Sequence, residues 1–373
     1  MSEFSAPHAG GTLARPSALV RYLAVAYTLL VGYASLYPFS PWRGLAGSAF
    51  SFLLEPWPRY TMPDVVLNVL GYFPLGLLLT LTAMAWVAPR WAALLATLAS
   101  VAVSLFLEAV QSYLPMRVAS NLDLLSNGLG AMLGALIAYI SAQRGLLSGR
   151  FYQLRAHLFL PGTAVDLGLV VVFLWLFTQL YPTVWLFGSG DLRPFVASSH
   201  MSYHPASYRW IEAGVTALSM TGICLLVASL AQPRRSVAAT LLALIATALL
   251  VKTAAALTLF KSADASLWLT PGALLGIPTA VVLLLVLAWC PSALLPWLAA
   301  TALALSVLLV NVAPENPYLV ASIQTWQRGH FLSFNGTTRL VHGLWPFLAI
   351  AYLAWWGWHH TSQKAKLAPD SNI

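Results

Sequence analysis

An all-α fold is the class this sequence predicts: a polytopic bundle of transmembrane helices, inferred from three observations. Of 373 residues, 59% are hydrophobic and only 8% are charged, and the mean hydropathy is +0.77. A soluble domain carries about 25% charged residues, so a water-soluble fold of this composition would have nothing to cover its surface. The apolar residues also fall into runs of roughly 20, the length a helix needs to cross about 30 Å of hydrocarbon. Finally, the 15 Trp and 14 Tyr suit the aromatic belts at bilayer interfaces. Helices are required because unpaired backbone groups are costly in lipid, and the alternating pattern of a membrane β-barrel strand is absent.

Taken in order, the apolar runs predict ten spans, at 18–38, 64–87, 91–112, 121–142, 163–183, 208–231, 236–260, 269–289, 291–312 and 340–358. The first follows Arg15 and contains Arg21. It is too long for a signal-peptide core and reads as a retained signal anchor. Lys and Arg in the short loops set the orientation. With the N-terminus inside, Arg15, Arg21, Arg90, Arg144, Arg150, Arg155, Arg234, Arg235, Lys364 and Lys366 are cytoplasmic. Arg43, Arg59, Arg117, Arg193, Arg209, Lys261, Arg328 and Arg339 lie in the longer outside loops. The numerical bias is small, but the inside loops are short and hold few acids. The expected topology is therefore N-in and C-in, with connections 39–63, 113–120, 184–207 and 313–339 facing outward.

The net charge of +8 does not point to nucleic acid, because the basic residues are scattered and form no recognition motif. Cys224 and Cys290 lie in separate apolar runs and make neither a disulfide framework nor a metal site.

Three predicted helix ends on the outer side each carry a carboxylate with an amide: Asp64 with Asn68, Glu108 with Gln111, and Asp123 with Asn127. Spacings of three and four residues put both members of a pair on one helix face. Arg117 lies in the loop between the last two pairs. Part of this is ordinary: Asp64 and Asp123 could cap their helices, where a negative charge complements the dipole, and Arg117 could bridge Glu108 to Asp123. Glu108, Asn68 and Asn127, however, sit about a turn inside apolar segments. There an ionisable group costs up to roughly 2.5–3.5 kcal/mol on insertion scales. These seven residues form the candidate polar pocket. Gly130 and Gly134 have the GxxxG spacing that lets helices approach closely, and Gly128 lies beside them. Pro74 and Gly76 should loosen the second span.

At these residues the chain resembles the VanZ-like membrane proteins. The blocks are DVVLNVLGYFPLG at 64–76, EAVQ at 108–111 and RVASNLDLLSNG at 117–128, preceded by YASLYPFSPW at 33–42. The resemblance covers about residues 20–142. It implies a VanZ-like four-helix transmembrane domain at 18–142, followed by a six-helix region at 163–358. It also implies a place in the bacterial inner membrane and a link to the envelope, and for some members to glycopeptide-antibiotic tolerance. It implies no settled activity. The residues it carries over are Asp64, Asn68, Glu108, Gln111, Arg117, Asp123 and Asn127.

Beyond residue 163 the blocks do not recur. His200 and His204 have i, i+4 spacing, but no third ligand is evident and Pro205 follows, so neither a metal nor a cofactor is expected. His330, His342, Arg328 and Arg339 read as solvated loop residues, with an anionic-ligand site as the alternative. Lys252 lies within the seventh span and could snorkel toward Lys261 or be a buried functional lysine. His359, His360, Lys364 and Lys366 read as a cytoplasmic interfacial tail.

Three function classes follow. One is binding or processing of an envelope lipid or its headgroup at the outer face. There Arg117 would hold a phosphate or carboxylate, and the carboxylates would bind sugar hydroxyls or divide acid and base work. Another is transport or flipping of such a lipid, although no internal repeat is visible. The third is a non-catalytic scaffold. No nucleophile elbow or phosphate loop supports an enzyme. The expected partners are membrane lipids or lipid-linked envelope precursors, not nucleic acid.

Overall fold

A computed structural model describes residues 18–44, 47–56, 62–145, 147–181, 185–193, 204–232, 237–258, 266, 268–314 and 332–367. Among these residues the secondary structure is helical. It comprises α1 (Ala18–Leu36), α2 (Met62–Ala83), α3 (Pro89–Gln111), α4 (Asn121–Gln143), α5 (Leu147–Leu158), α6 (Thr163–Thr178), α7 (Pro205–Leu230), α8 (Val237–Thr258), α9 (Pro271–Leu287), α10 (Leu295–Val312) and α11 (Leu332–Leu367), with one 3-10 turn at Ser51–Leu53. Among the described residues, eight helices are long and apolar enough to cross a membrane, and α6 and α9 are shorter apolar helices. The protein is a polytopic membrane bundle, and its apolar helices correspond in order to the runs read from the sequence.

Local chemistry sets where the helices begin. Proline occupies the first turn of α3, α7, α9 and α10, where its missing N–H would have had no intrahelical partner. Thr270 caps α9 by accepting from Ala273 N–H at 3.1 Å. Pro74 lies inside α2 and removes the donor for the Leu70 carbonyl. One residue on, the Tyr27 hydroxyl donates to the Gly71 carbonyl at 2.8 Å, tying α1 to this part of α2.

Two modes of packing hold the bundle. Helices α2 and α4 meet backbone to backbone. A Cβ at Gly76 would collide with the Ala131 carbonyl, one at Gly130 with the Val69 carbonyl, and one at Gly134 with the Phe73 carbonyl. The glycines on α4 do what their spacing predicts, and Gly76 makes the contact reciprocal. The later helices instead pack around α7, most of whose membrane-spanning residues are buried and whose neighbours are α9, α10, α6 and α8. Large side chains fill this core, among them Trp175, Ile223, Leu226, Leu230, Trp345 and Leu353. Polar bonds pin it: Trp345 Nε1 donates to the Val171 carbonyl at 2.8 Å, and the Ser219 and Ser306 hydroxyls share a bond of 2.6 Å. Helix α1 packs on α2 and α3 and also on α6 and α11, so it touches both groups.

Three expectations need correction. The connection 143–162 is not a plain loop but contains α5, joined to α6 through Arg155, which pairs with Asp166 at 2.7 Å. The span expected at 163–183 is the 16-residue α6, about 24 Å at 1.5 Å per residue. After it, residues 185–190 are buried although not helical. The last helix begins well before residue 340 and runs through the expected tail as far as Leu367.

Candidate functional site

Four helix ends converge at one end of the bundle: the C-termini of α1 and α3 and the N-termini of α2 and α4. Ser120 starts α4, its hydroxyl accepting from Leu122 N–H at 3.1 Å and Asp123 N–H at 3.4 Å. Ser120 is therefore the cap. Asp123 sits in the first turn beside it, where its charge complements the helix dipole. The Ser120 N–H donates in turn to Glu108 Oε2 at 2.9 Å. That bond staples the end of α3 to the start of α4 across the short 113–120 connection.

Arg117 does not bridge Glu108 and Asp123. Its Nη2 donates to the Ala34 carbonyl at 2.7 Å and to the Ser35 carbonyl at 2.9 Å, and its Nε donates to Ser35 at 3.1 Å. These carbonyls belong to the last turn of α1, where acceptors have no intrahelical partner and a cation suits the dipole. Burial pushes the Arg117 pKa down from its ordinary value, while Glu108 and Asp123 nearby act in the opposite direction. An arginine keeps its charge under such opposing effects. Arg43 does the equivalent at α3, with its Nε donating to the Ser112 carbonyl at 3.1 Å and its N–H to the Tyr113 carbonyl at 2.9 Å.

The amides complete the network. Asn68 donates to Asp123 Oδ1 at 2.8 Å, joining α2 to α4. Gln111 donates to the Ser35 carbonyl at 3.0 Å, so α1 receives two side chains from the α3–α4 hairpin. One turn deeper, Asn127 donates to the Ser104 hydroxyl at 2.9 Å. Asp64 lies in the first turn of α2, close enough for its charge to act on Asp123. All seven sequence-selected residues thus share one polar region. Glu108, Gln111 and Asn127 are buried, at 4%, 8% and 5% exposure.

Sequence reasoning missed Ser35, Ser104, Ser120, Tyr72 and Arg43. Tyr72 is buried and faces Ser104, Ser35 and Glu108. A capping pattern, Ser120 followed three residues later by Asp123, was the one available signal. Nothing in the sequence marks Tyr72 or Ser104. Of the other candidates, His342 is buried on α11 and is not a solvated loop residue. Lys252 is buried at 6% exposure and does not snorkel. His200, Arg328 and His330 fall outside the described residues.

The arrangement can accept hydrogen bonds better than it can bind an anion. Among the described residues, Glu108 and Asp123 each take one bond, leaving Glu108 Oε1 and Asp123 Oδ2 without a donor there. The nearby guanidinium has its Nε and Nη2 committed to α1.

Fold and site together define a multi-pass helical membrane protein with a carboxylate-and-amide cluster where its first four spans meet. Residues 14–142 match the VanZ/LLP1 family model, so the chain has a VanZ-like N-terminal part, followed by a C-terminal extension outside the match. No curated protein matches the chain, nor does any solved structure.

Proposed function

We propose that the α1–α4 cluster binds the polar head of an envelope lipid or of a lipid-linked envelope precursor at the outer face of the bacterial inner membrane. In this reading the protein serves tolerance of envelope stress or of glycopeptide antibiotics. The observation that carries the reading is the pair of carboxylate oxygens, on Glu108 and Asp123, that receive no donor among the described residues. Their natural partners are hydroxyl or ammonium groups, as sugars and amino-bearing headgroups supply. Arg117 acts here as a positioning residue that seats α1 against the site. The N-in orientation is part of the proposal. Its support is the count of Lys and Arg in the short loops, ten on the inner side against eight in the longer outer connections.

A second reading, a non-catalytic scaffold, is favoured by the internal bonds of Asn68, Gln111 and Asn127. The discriminating experiment uses Glu108→Gln and Asp123→Asn. Each keeps an acceptor for its present bond while removing the charge. Normal membrane abundance and thermal midpoint, with lost complementation of a deletion strain under envelope stress, supports headgroup binding. Normal complementation by both folded variants sinks it and leaves the scaffold.

A further inference from the structure

The helices beyond α5 hold a second buried polar group that the α1–α4 cluster does not share. Among the described residues, helix α8 is the least enclosed of the long spans, with 11% of its membrane-spanning stretch buried. Leu242 and Leu250 on its outer face are 72% and 69% exposed. Its buried residues fall on one stripe, Ala248, Lys252, Ala255 and Ala256. A long cationic side chain thus points into the bundle between alanines. Lys252 Nζ is buried and has no hydrogen-bond partner.

On α11, His342 is buried as well, at 4% exposure, with its ring Nδ1 also buried and unpartnered among the described residues. The two are close enough for the ammonium to act on the imidazole. The surroundings hold His342 in place. Its carbonyl accepts from Gly190 N–H at 2.9 Å, the Tyr181 ring lies 4.8 Å from its own, and Asn311 donates to the Gly190 carbonyl at 2.8 Å. The acid in this neighbourhood, Asp191, is already engaged by Arg193 at 2.6 Å. No described carboxylate pairs with Lys252. Helix α8 packs on α6 and α7, and α11 packs on α6 as well, so Lys252 and His342 lie on helices that share a neighbour.

A buried ammonium without a counter-charge is expensive in a membrane bundle, and such residues mark pathways or ligand sites. Simple packing would be better served by Leu or Met. We infer that Lys252 and His342 form a second binding site, taking an oxyanion (a phosphate or a carboxylate) between α8 and α11. Lys252 supplies the charge and its N–H donors, and the His342 ring supplies a further hydrogen bond. The oxyanion can belong to a lipid headgroup entering beside the lipid-facing side of α8, or it can be a free ion.

The test uses the full chain in phosphatidylcholine nanodiscs, with and without added phosphatidylglycerol, and separately with inorganic phosphate. Bound lipid is read by native mass spectrometry and stability by thermal midpoint. Wild-type protein should retain phosphatidylglycerol over phosphatidylcholine by about tenfold, a difference of one decade in affinity. Lys252→Met should lose that preference while folding normally. Phosphatidylglycerol alone raising the wild-type midpoint assigns the site to a lipid. Inorganic phosphate alone doing so assigns it to a free ion. If Lys252→Met does not fold, His342→Gln is read in the same way. A folded variant at either position that keeps the wild-type response to both probes overturns the proposal, as does a wild-type protein that responds to neither.

Discussion

The α1–α4 cluster and the Lys252–His342 pair are both buried and polar, yet they differ in how their ionisable groups are matched. At the first, Glu108, Arg117 and Asp123 each have a partner in the chain. At the second, Lys252 Nζ and His342 Nδ1 have none. The internal bonds of the α1–α4 cluster specify how the helices seat against one another, and one oxygen each of Glu108 and Asp123 is left over to meet a ligand. An unmatched group keeps its desolvation penalty until something arrives to relieve it. The packing around them differs as well, with a backbone seam through glycine at α2–α4 and large interlocking side chains around α7.

This contrast can be broken most severely at the seam. Gly134→Leu should abolish monodisperse protein on size-exclusion chromatography, since the added side chain meets the Phe73 carbonyl and backbone cannot yield as a rotamer can. Gly343→Ala, where a Cβ meets nothing within 4 Å, should stay within about 0.5 kcal/mol of wild type. Next in size, Arg117→Ala should lower stability by about 2–3 kcal/mol, read from the thermal midpoint, as charged hydrogen bonds to the α1 carbonyls are lost. Arg117→Lys should recover only part of this, because an ammonium cannot present the same fork. Ser120→Ala should cost about 1 kcal/mol, the usual loss of an N-cap, and should loosen the α3–α4 hairpin in hydrogen exchange. The smallest effect sharpens the contrast by its sign. Lys252→Met in phosphatidylcholine alone should leave the midpoint unchanged or raise it, since replacing an uncompensated buried charge by an apolar chain removes a cost.

The apolar spans were legible because a run of about 20 apolar residues has little else to be. Helices α3, α7 and α9 open at Pro89, Pro205 and Pro271, within three residues of the expected starts at 91, 208 and 269. Helix α5 was not legible, since it is short and its sequence, LSGRFYQLRAHL, has no apolar run. The burial of residues 185–190 was hidden for another reason: aromatic and glycine residues in a turn read equally well as an interfacial loop. At the site, the carboxylates and amides that helical spacing grouped lie together at the ends of neighbouring helices. The partner of Arg117 was misread because charge sign is visible in a sequence and the unpaired carbonyls of Ala34 and Ser35 are not. Lys252 was ambiguous because snorkelling and burial begin from the same residue in the same span, and only the alanine stripe on α8 separates them.

Helix α1 packs on α11 as well as on α2 and α3, and a Cβ at Gly336 of α11 would strike the Tyr37 ring just past the end of α1. This has a consequence for how the protein is made. A chain leaving the ribosome presents α1 long before α11, so one flank of α1 waits against lipid while the intervening helices insert. The α2–α4 seam and the Arg117 clasp form between near neighbours in sequence and can close early. The junction with α11 can close only once that helix has been made. A stalled chain lacking α11 would therefore carry a completed polar cluster beside an uncovered face, the kind of half-built surface that membrane quality control recognises.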